Sequence, residues 1–157
     1  MLRIFFEEEY KKHERALFLV AFSYLHNTED ARDVLQEAAI SAYRAIDKLR
    51  EPEHFKTWLT RIVINKSKNF LKSKRPTEEL RDDLDVFCTV PTEELEIMDI
   101  LCRMDPASSV YISLRFYNDM SYEEAARSLR QPVSTVKYRT ARALREMKML
   151  LEGDVSE

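Results

Sequence analysis

Near the C-terminal end, Ser134, Thr135, Tyr138, Arg139, Arg142 and Arg145 fall largely along one side of a helix. Hydroxyls and guanidinium groups arranged this way can donate to phosphate oxygens and base edges, and an arginine fork matches the two acceptors of guanine. Val136, Leu144 and Met147 recur near helical spacing on the opposite, inward side. Upstream, Ser121 is a good N-cap and Glu124 three residues later completes a capping box. Ala125, Ala126 and Leu129 form a small apolar face that lets a second helix pack close, and Pro132 suits the start of that helix. Met120 to Met147 therefore reads as a helix-turn-helix whose second helix enters a DNA major groove. A plain helical hairpin with a solvated face has the same periodicity, and charge separates the two readings. Between Arg127 and Lys148 there are seven basic residues and one acid, in a chain of net charge −3. Such local asymmetry is the footprint of a phosphate-binding face.

A second basic set lies upstream. In a helix expected from about Glu53 to Ser73, residues Arg61, Asn65, Lys68 and Lys72 step by four, three and four, so they share an outward face. Phe55, Trp58, Leu59, Ile62, Val63 and Phe70 give its inward side, with Trp58 read as core rather than a stacking platform. Lys48 to Arg75 carries nine basic residues and two acids. A third set is acidic: Glu29, Asp30, Asp33 and Glu37 cluster at the start of a helix expected over Thr28–Leu49, where the helix dipole favours them. That helix has a narrow stripe of Ala31, Val34, Leu35, Ala38, Ala39, Ala42 and Ile46.

The elements that position these sets are all helical. A first helix runs from Ile4 to His26 and is ended by His26-Asn27-Thr28. Lys74 to Pro91 reads as a linker; Thr77 to Asp105 holds ten acids and two basic residues. A helix begins near Glu93, and Asp105-Pro106 opens another over Ala107–Tyr117. About 18 linker residues could extend to roughly 60 Å, enough for two basic modules to grip DNA more than one helical turn, about 34 Å, apart. The 157 residues contain one glycine, Gly153, which excludes the glycine-rich phosphate loops and argues against a parallel α/β sheet. Cys88 and Cys102 are not in a metal or redox spacing and the three histidines are scattered, so no metal site or disulfide framework is expected, and the thiols read as buried or incidental in a reducing compartment. No paired carboxylates, nucleophile–histidine set or metal ligands fall at usable spacing, so no catalytic residues and no cofactor are expected. No apolar run reaches the length of a signal peptide core or membrane span, so an intracellular protein is expected.

Three stretches in this order resemble the extracytoplasmic-function (ECF, group IV) sigma factors of bacterial RNA polymerase, within the sigma-70 family. EDARDVLQEAAISAYRAI, Glu29 to Ile46, is similar to the family's polymerase-docking helix. FKTWLTRIVINKSKNFLKSKR, Phe55 to Arg75, is similar to its −10-recognising segment. SYEEAA and PVSTVKYRTARAL are similar to its −35-recognising helix-turn-helix. The resemblance implies an all-α protein of two small domains: residues 1–75 for docking and −10 recognition, a flexible acidic linker over 76–91, and residues 92–152 for −35 recognition. It assigns Asp33, Gln36 and Glu37 to polymerase docking. Lys56, Arg61, Asn65, Lys68, Asn69 and Lys72 go to −10 DNA, with the loop Leu49 to His54 capturing a flipped base at a cost of a few kcal/mol. Ser134, Thr135, Lys137, Tyr138, Arg139 and Arg142 go to −35 DNA, Lys137 on phosphate. Partners implied are core RNA polymerase, promoter DNA and an anti-sigma factor, often membrane-anchored, which would hold this cytoplasmic protein at the inner face of the membrane.

The chain departs from the family pattern in places. Arg130 stands in the turn where glycine is common, so a positive φ there carries strain on the order of 1 kcal/mol. Ala38 and Ala39 replace larger apolar residues, and Tyr138 stands where a small residue is frequent. No C-terminal regulatory domain is expected after the helix-turn-helix. Two other readings compete. A stand-alone helix-turn-helix regulator has no use for the second basic island, and a helical adaptor that binds no DNA has no use for two basic faces.

Overall fold

The computed structural model describes residues 1–73 and 92–155, and among them there is helix and no strand. The linker expected over 76–91, with Cys88, lies outside the described residues. The first unit is a three-helix bundle of α1 (Leu2–Leu25), α2 (Thr28–Arg44) and α3 (Phe55–Ser73). α1 stops where His26 turns left-handed, φ 50°, and its N–H returns to the Phe22 carbonyl at 2.8 Å. Asn27 then caps α2, its side chain accepting from the Asp30 N–H at 2.9 Å, with Glu29 and Asp30 in the first turn. Ala31, Ala38 and Ala42 are fully buried, and their small side chains let α2 pack closely on α1 and α3. Phe6 meets Tyr43 and Phe55 edge to face, with ring centroids 5.5 and 5.6 Å apart.

α2 ends five residues earlier than the sequence suggests. The Ala45 N–H is shared by the Ser41 and Ala42 carbonyls, which tightens the last turn into a 3₁₀ turn at Ile46–Lys48. A second 3₁₀ turn at Pro52–His54 leads into α3. Along α3, Phe55, Leu59, Val63 and Ile64 are buried. Thr60 and Ser67 are tolerated inside because their hydroxyls donate to the Lys56 and Val63 carbonyls.

The second unit contains α4 (Thr92–Arg103), α5 (Pro106–Ile112), α6 (Tyr122–Leu129) and α7 (Val133–Val155). Asp105 caps α5 through the Ala107 N–H at 2.9 Å, with Pro106 in the first turn as the sequence implies. The helix expected through Tyr117 widens instead into a π turn over Ser113–Tyr117. Its closure is visible at Asn118, whose backbone N–H donates to the Ser113 carbonyl five residues back at 3.0 Å. Met98, Leu101, Met104, Ile112, Leu114, Met120, Val136 and Ala143 are among the buried residues of this unit.

The two units pack against each other: α1 against α5 and the π turn, α3 against α6. The α1 seam contains buried polar bonds. Ser109 Oγ donates to the Ser23 carbonyl at 2.8 Å, the Ser23 and Ser113 hydroxyls hydrogen-bond one another, and Ser113 Oγ reaches the Leu19 carbonyl at 3.3 Å. Asn118 Nδ2 uses both its protons, donating to the carbonyls of Ser113 at 2.9 Å and Ala16 at 3.1 Å. Each such bond contributes about 1 kcal/mol. The seam therefore adds buried polar bonds to an apolar core that includes residues of both units.

Candidate nucleic-acid interface

The helix-turn-helix is built as its sequence implies, with two refinements. Ser121 Oγ accepts the Glu124 N–H at 3.1 Å, but the Glu124 carboxylate is met by the Ser121 hydroxyl at 3.2 Å, so only half of the expected capping box forms. Arg130 takes the left-handed conformation, φ 56° and ψ 47°, and the Gln131 N–H closes onto the Ala126 carbonyl at 3.0 Å. The turn keeps the geometry a glycine would supply, with an arginine in it.

α7 presents Ser134, Lys137, Tyr138, Arg139 and Arg142 to solvent, with Thr135 half-buried. Tyr138 is 62% exposed. Behind this face, Tyr111 Oη donates to Gln131 Oε1 at 2.7 Å and receives Arg139 Nη1 at 3.1 Å. That hydrogen bond raises the proton affinity of Arg139 further, keeping it charged. Arg139 and Arg142 also flank a cleft of about 290 Å³ beside Asp105 and Ser108. The Glu146 carboxylate accepts the Asp105 N–H at 3.1 Å, tying α7 to the start of α5. Lys137 Nζ lies 5.7 Å from the Tyr122 ring centre, whose ring also takes Arg115 at 4.9 Å.

On α3, Asn65, Lys68, Asn69 and Lys72 form one exposed face, as their spacing requires, while Lys56 and Arg61 are half-buried nearer the bundle. Trp58 is half-buried. It packs on Phe55, with ring centroids 6.0 Å apart, and also walls a cleft with Lys48, Arg50 and Arg61. Arg127 and Arg130 of the second unit line the same cleft. The sequence shows these cations as members of two separate basic islands and gives no sign that they meet.

Asp33, Gln36 and Glu37 are exposed on α2. Gln36 lies in a groove of about 870 Å³ between α1 and α2, beside Tyr10, Leu35, Ala39, Ile40 and Tyr43. Ile40 is 46% exposed. Asp33, Gln36, Glu37 and Ile40 fall on one helical face by their three- and four-residue steps. Burial and the nearby Glu14 push the Tyr10 hydroxyl up to about 12, so it remains a neutral donor. The apolar half of this groove does not follow from the sequence, whose stripe places Ala39 in the core and leaves Ile40 out. Cys102 is exposed, the incidental of the two expected alternatives; partial shielding and Asp99 raise its thiol to about 11, which disfavours the reactive thiolate.

Two family models match this chain, Sigma-70 region 2 over residues 10–77 and Sigma-70, region 4 over residues 94–147. An ECF RNA polymerase sigma-E factor of Haemophilus influenzae is 35% identical, covering 75% of this chain and 72% of its own length. The chain belongs to the ECF sigma factors. The RNA polymerase sigma factor NccH of Alcaligenes xylosoxydans xylosoxydans is 31% identical to this sigma factor over 91% of the chain and 84% of its own length. The solved structure of CnrH in complex with the cytosolic domain of CnrY is 28% identical, with a TM-score of 0.69 over 95% of this chain and 88% of that one. The family is one of transcription initiation factors and not a known enzyme family. Among the described residues, no helix is long and apolar enough to cross a membrane.

Proposed function

We propose that this sigma factor binds core RNA polymerase through the Asp33–Gln36–Glu37 face of α2, directs it to −35/−10 promoters and assists strand opening. The observation that carries this reading is the coexistence of three faces in one chain. A polar face beside an apolar groove lies on α2, a basic face lies on α3, and a basic helix-turn-helix lies on α6 and α7. A stand-alone regulator needs only the last.

In this reading residues 1–75 dock on polymerase and read −10 DNA, 76–91 tether, and 92–152 read −35 DNA. Lys56, Arg61, Asn65, Lys68, Asn69 and Lys72 meet −10 DNA; Ser134, Thr135, Lys137, Tyr138, Arg139 and Arg142 meet −35 DNA. Phosphate contacts from the lysines position the protein, while the arginines and Tyr138 discriminate bases. Bond-making stays with the polymerase, so the chain itself needs no catalytic residue. CnrH is held with the cytosolic domain of CnrY; a protein inhibitor of the anti-sigma kind, free or membrane-anchored, is the corresponding partner here. It would keep the protein cytoplasmic or at the inner face of the membrane.

The test is binding to purified core polymerase, followed by transcription from a pool of genomic promoters. Saturable binding and transcripts that share a two-part upstream motif are expected. Tight binding to duplex DNA alone, with no affinity for polymerase, would replace this reading with that of a regulator.

A further inference from the structure

A cleft of about 470 Å³ opens where the two units meet, and its walls carry Lys48, Arg50 and Arg61 from the first and Arg127 and Arg130 from the second. The one carboxylate on its lining, Glu51, is engaged by His54 Nε2 at 2.7 Å. Among the described residues none of the five cations has an ion-pair partner. Five like charges converging from the two units repel each other, and the packing of α1 on α5 and of α3 on α6, with the Ser23, Ser109 and Asn118 bonds, must hold the units together against that repulsion. A compact ligand bearing several negative charges reverses the sign of this interaction. Four of the five are arginines, whose planar forks match phosphate oxygens two at a time. Trp58 adds a half-exposed indole on the same wall, a surface on which a base can stack.

We propose that this cleft is a binding site for a small polyphosphate, by class a nucleoside di- or triphosphate, and that the ligand clamps the two units together. Its phosphates bridge Arg61 to Arg127 and Arg130, and its base lies on Trp58. One consequence rests on the function proposed above. With α3 and α6 in contact, the chain cannot reach two promoter elements more than a helical turn, about 34 Å, apart. The ligand also fills the space beside the loop Leu49 to His54 that would receive a flipped base. It therefore opposes promoter engagement.

The binding itself does not depend on that function and is measured on the free, full-length chain. Trp58 is the only tryptophan, so its fluorescence reports on the cleft. ATP without magnesium and inorganic tripolyphosphate are titrated separately at fixed ionic strength, with sulfate as the control and calorimetry for stoichiometry. ATP is expected to bind one-to-one and quench Trp58. Arg61→Ala and the double change Arg127→Ala with Arg130→Ala should each weaken it about tenfold or more, with circular dichroism confirming retained helix. Tripolyphosphate binding as tightly as ATP, without quenching by either, overturns the nucleoside and leaves inorganic polyphosphate as the source. Binding that never saturates, follows ionic strength alone, or is untouched by the Arg127 and Arg130 changes overturns the site. Saturable ATP binding in a chain that ignores core polymerase would remove the proposed function and leave the site standing.

Discussion

Arg139 Nη1 donates to Tyr111 Oη at 3.1 Å, and Tyr111 Oη donates onward to Gln131 Oε1 at 2.7 Å. One phenol thus links the turn of the helix-turn-helix to a side chain on its second helix, α7. Residues 20 and 28 positions distant from Tyr111 are held in register by a group that touches no DNA in the proposed function.

Tyr111→Phe keeps the ring and removes this relay. It should cost about 1 kcal/mol of stability and, by freeing Arg139, lower −35-dependent transcription severalfold while core polymerase binding stays unchanged. Paired transcription and core-binding assays test it. Unchanged transcription would mean that Arg139 needs no fixed orientation.

Arg142→Ala should weaken −35-dependent transcription and spare core binding, whereas a combined Gln36→Ala and Glu37→Ala change should do the reverse. Ile40→Asp should act with the second pair, because it places a charge in the apolar half of the α2 groove. Removing one exposed polar group from either interface is expected to cost about 1 kcal/mol, or roughly fivefold in affinity. Equal loss of both activities in any of these variants would contradict the division of labour.

The helices and their inward faces were legible because 3.6-residue periodicity and capping chemistry are local. Ser121 and the Asp105-Pro106 pair mark helix starts that the structure keeps. The early end of α2 was not legible, because nothing in Ala45-Ile46-Asp47 breaks the pattern; the choice lies in which carbonyl the Ala45 N–H takes. The π turn at Ser113 was hidden for a similar reason, being closed by Asn118 through hydrogen bonds that reach across to Ala16. The exposed basic faces followed from spacing. The juxtaposition of Arg61 with Arg127 and Arg130 did not, since it depends on how α3 packs on α6, a contact between distant parts of the chain accompanied by buried serines bonded to carbonyls 86 to 94 residues away.

His26 makes stability depend on pH. Its Nε2 is buried without a hydrogen-bond partner, and burial lowers its proton affinity below the ordinary value of 6.5, partly opposed by a hydrogen bond to the Ser23 backbone and by Asp105. The unfolded chain therefore takes up the proton first. The stabilisation is fully present above about pH 6.5 and is lost as the pH falls through the lowered folded value. His13, lowered by burial and Lys56, acts in the same direction. His26→Asn keeps a side chain that tolerates the left-handed conformation. Urea melts across this range should show a shallower, though not flat, pH dependence in the variant. An unchanged slope would clear His26 of the effect.

Arg130 holds φ 56° at the turn between α6 and α7, a conformation that costs an L-residue about 1 kcal/mol. Glycine removes that strain but gives the unfolded chain more freedom. Asparagine tolerates the conformation without that entropic loss, and a β-branched valine worsens the strain. Thermal stability should therefore rank Asn and Gly at or above Arg, by up to about 2–4 °C, with Val below all three. The same Gly and Asn changes remove one cation from the cleft shared with Arg61 and Arg127. They should weaken polyphosphate binding even as they raise the melting temperature. Measured together, opposite movements of the two quantities would separate the arginine's charge from its backbone strain, and a parallel fall in both would show that the turn itself had been disrupted.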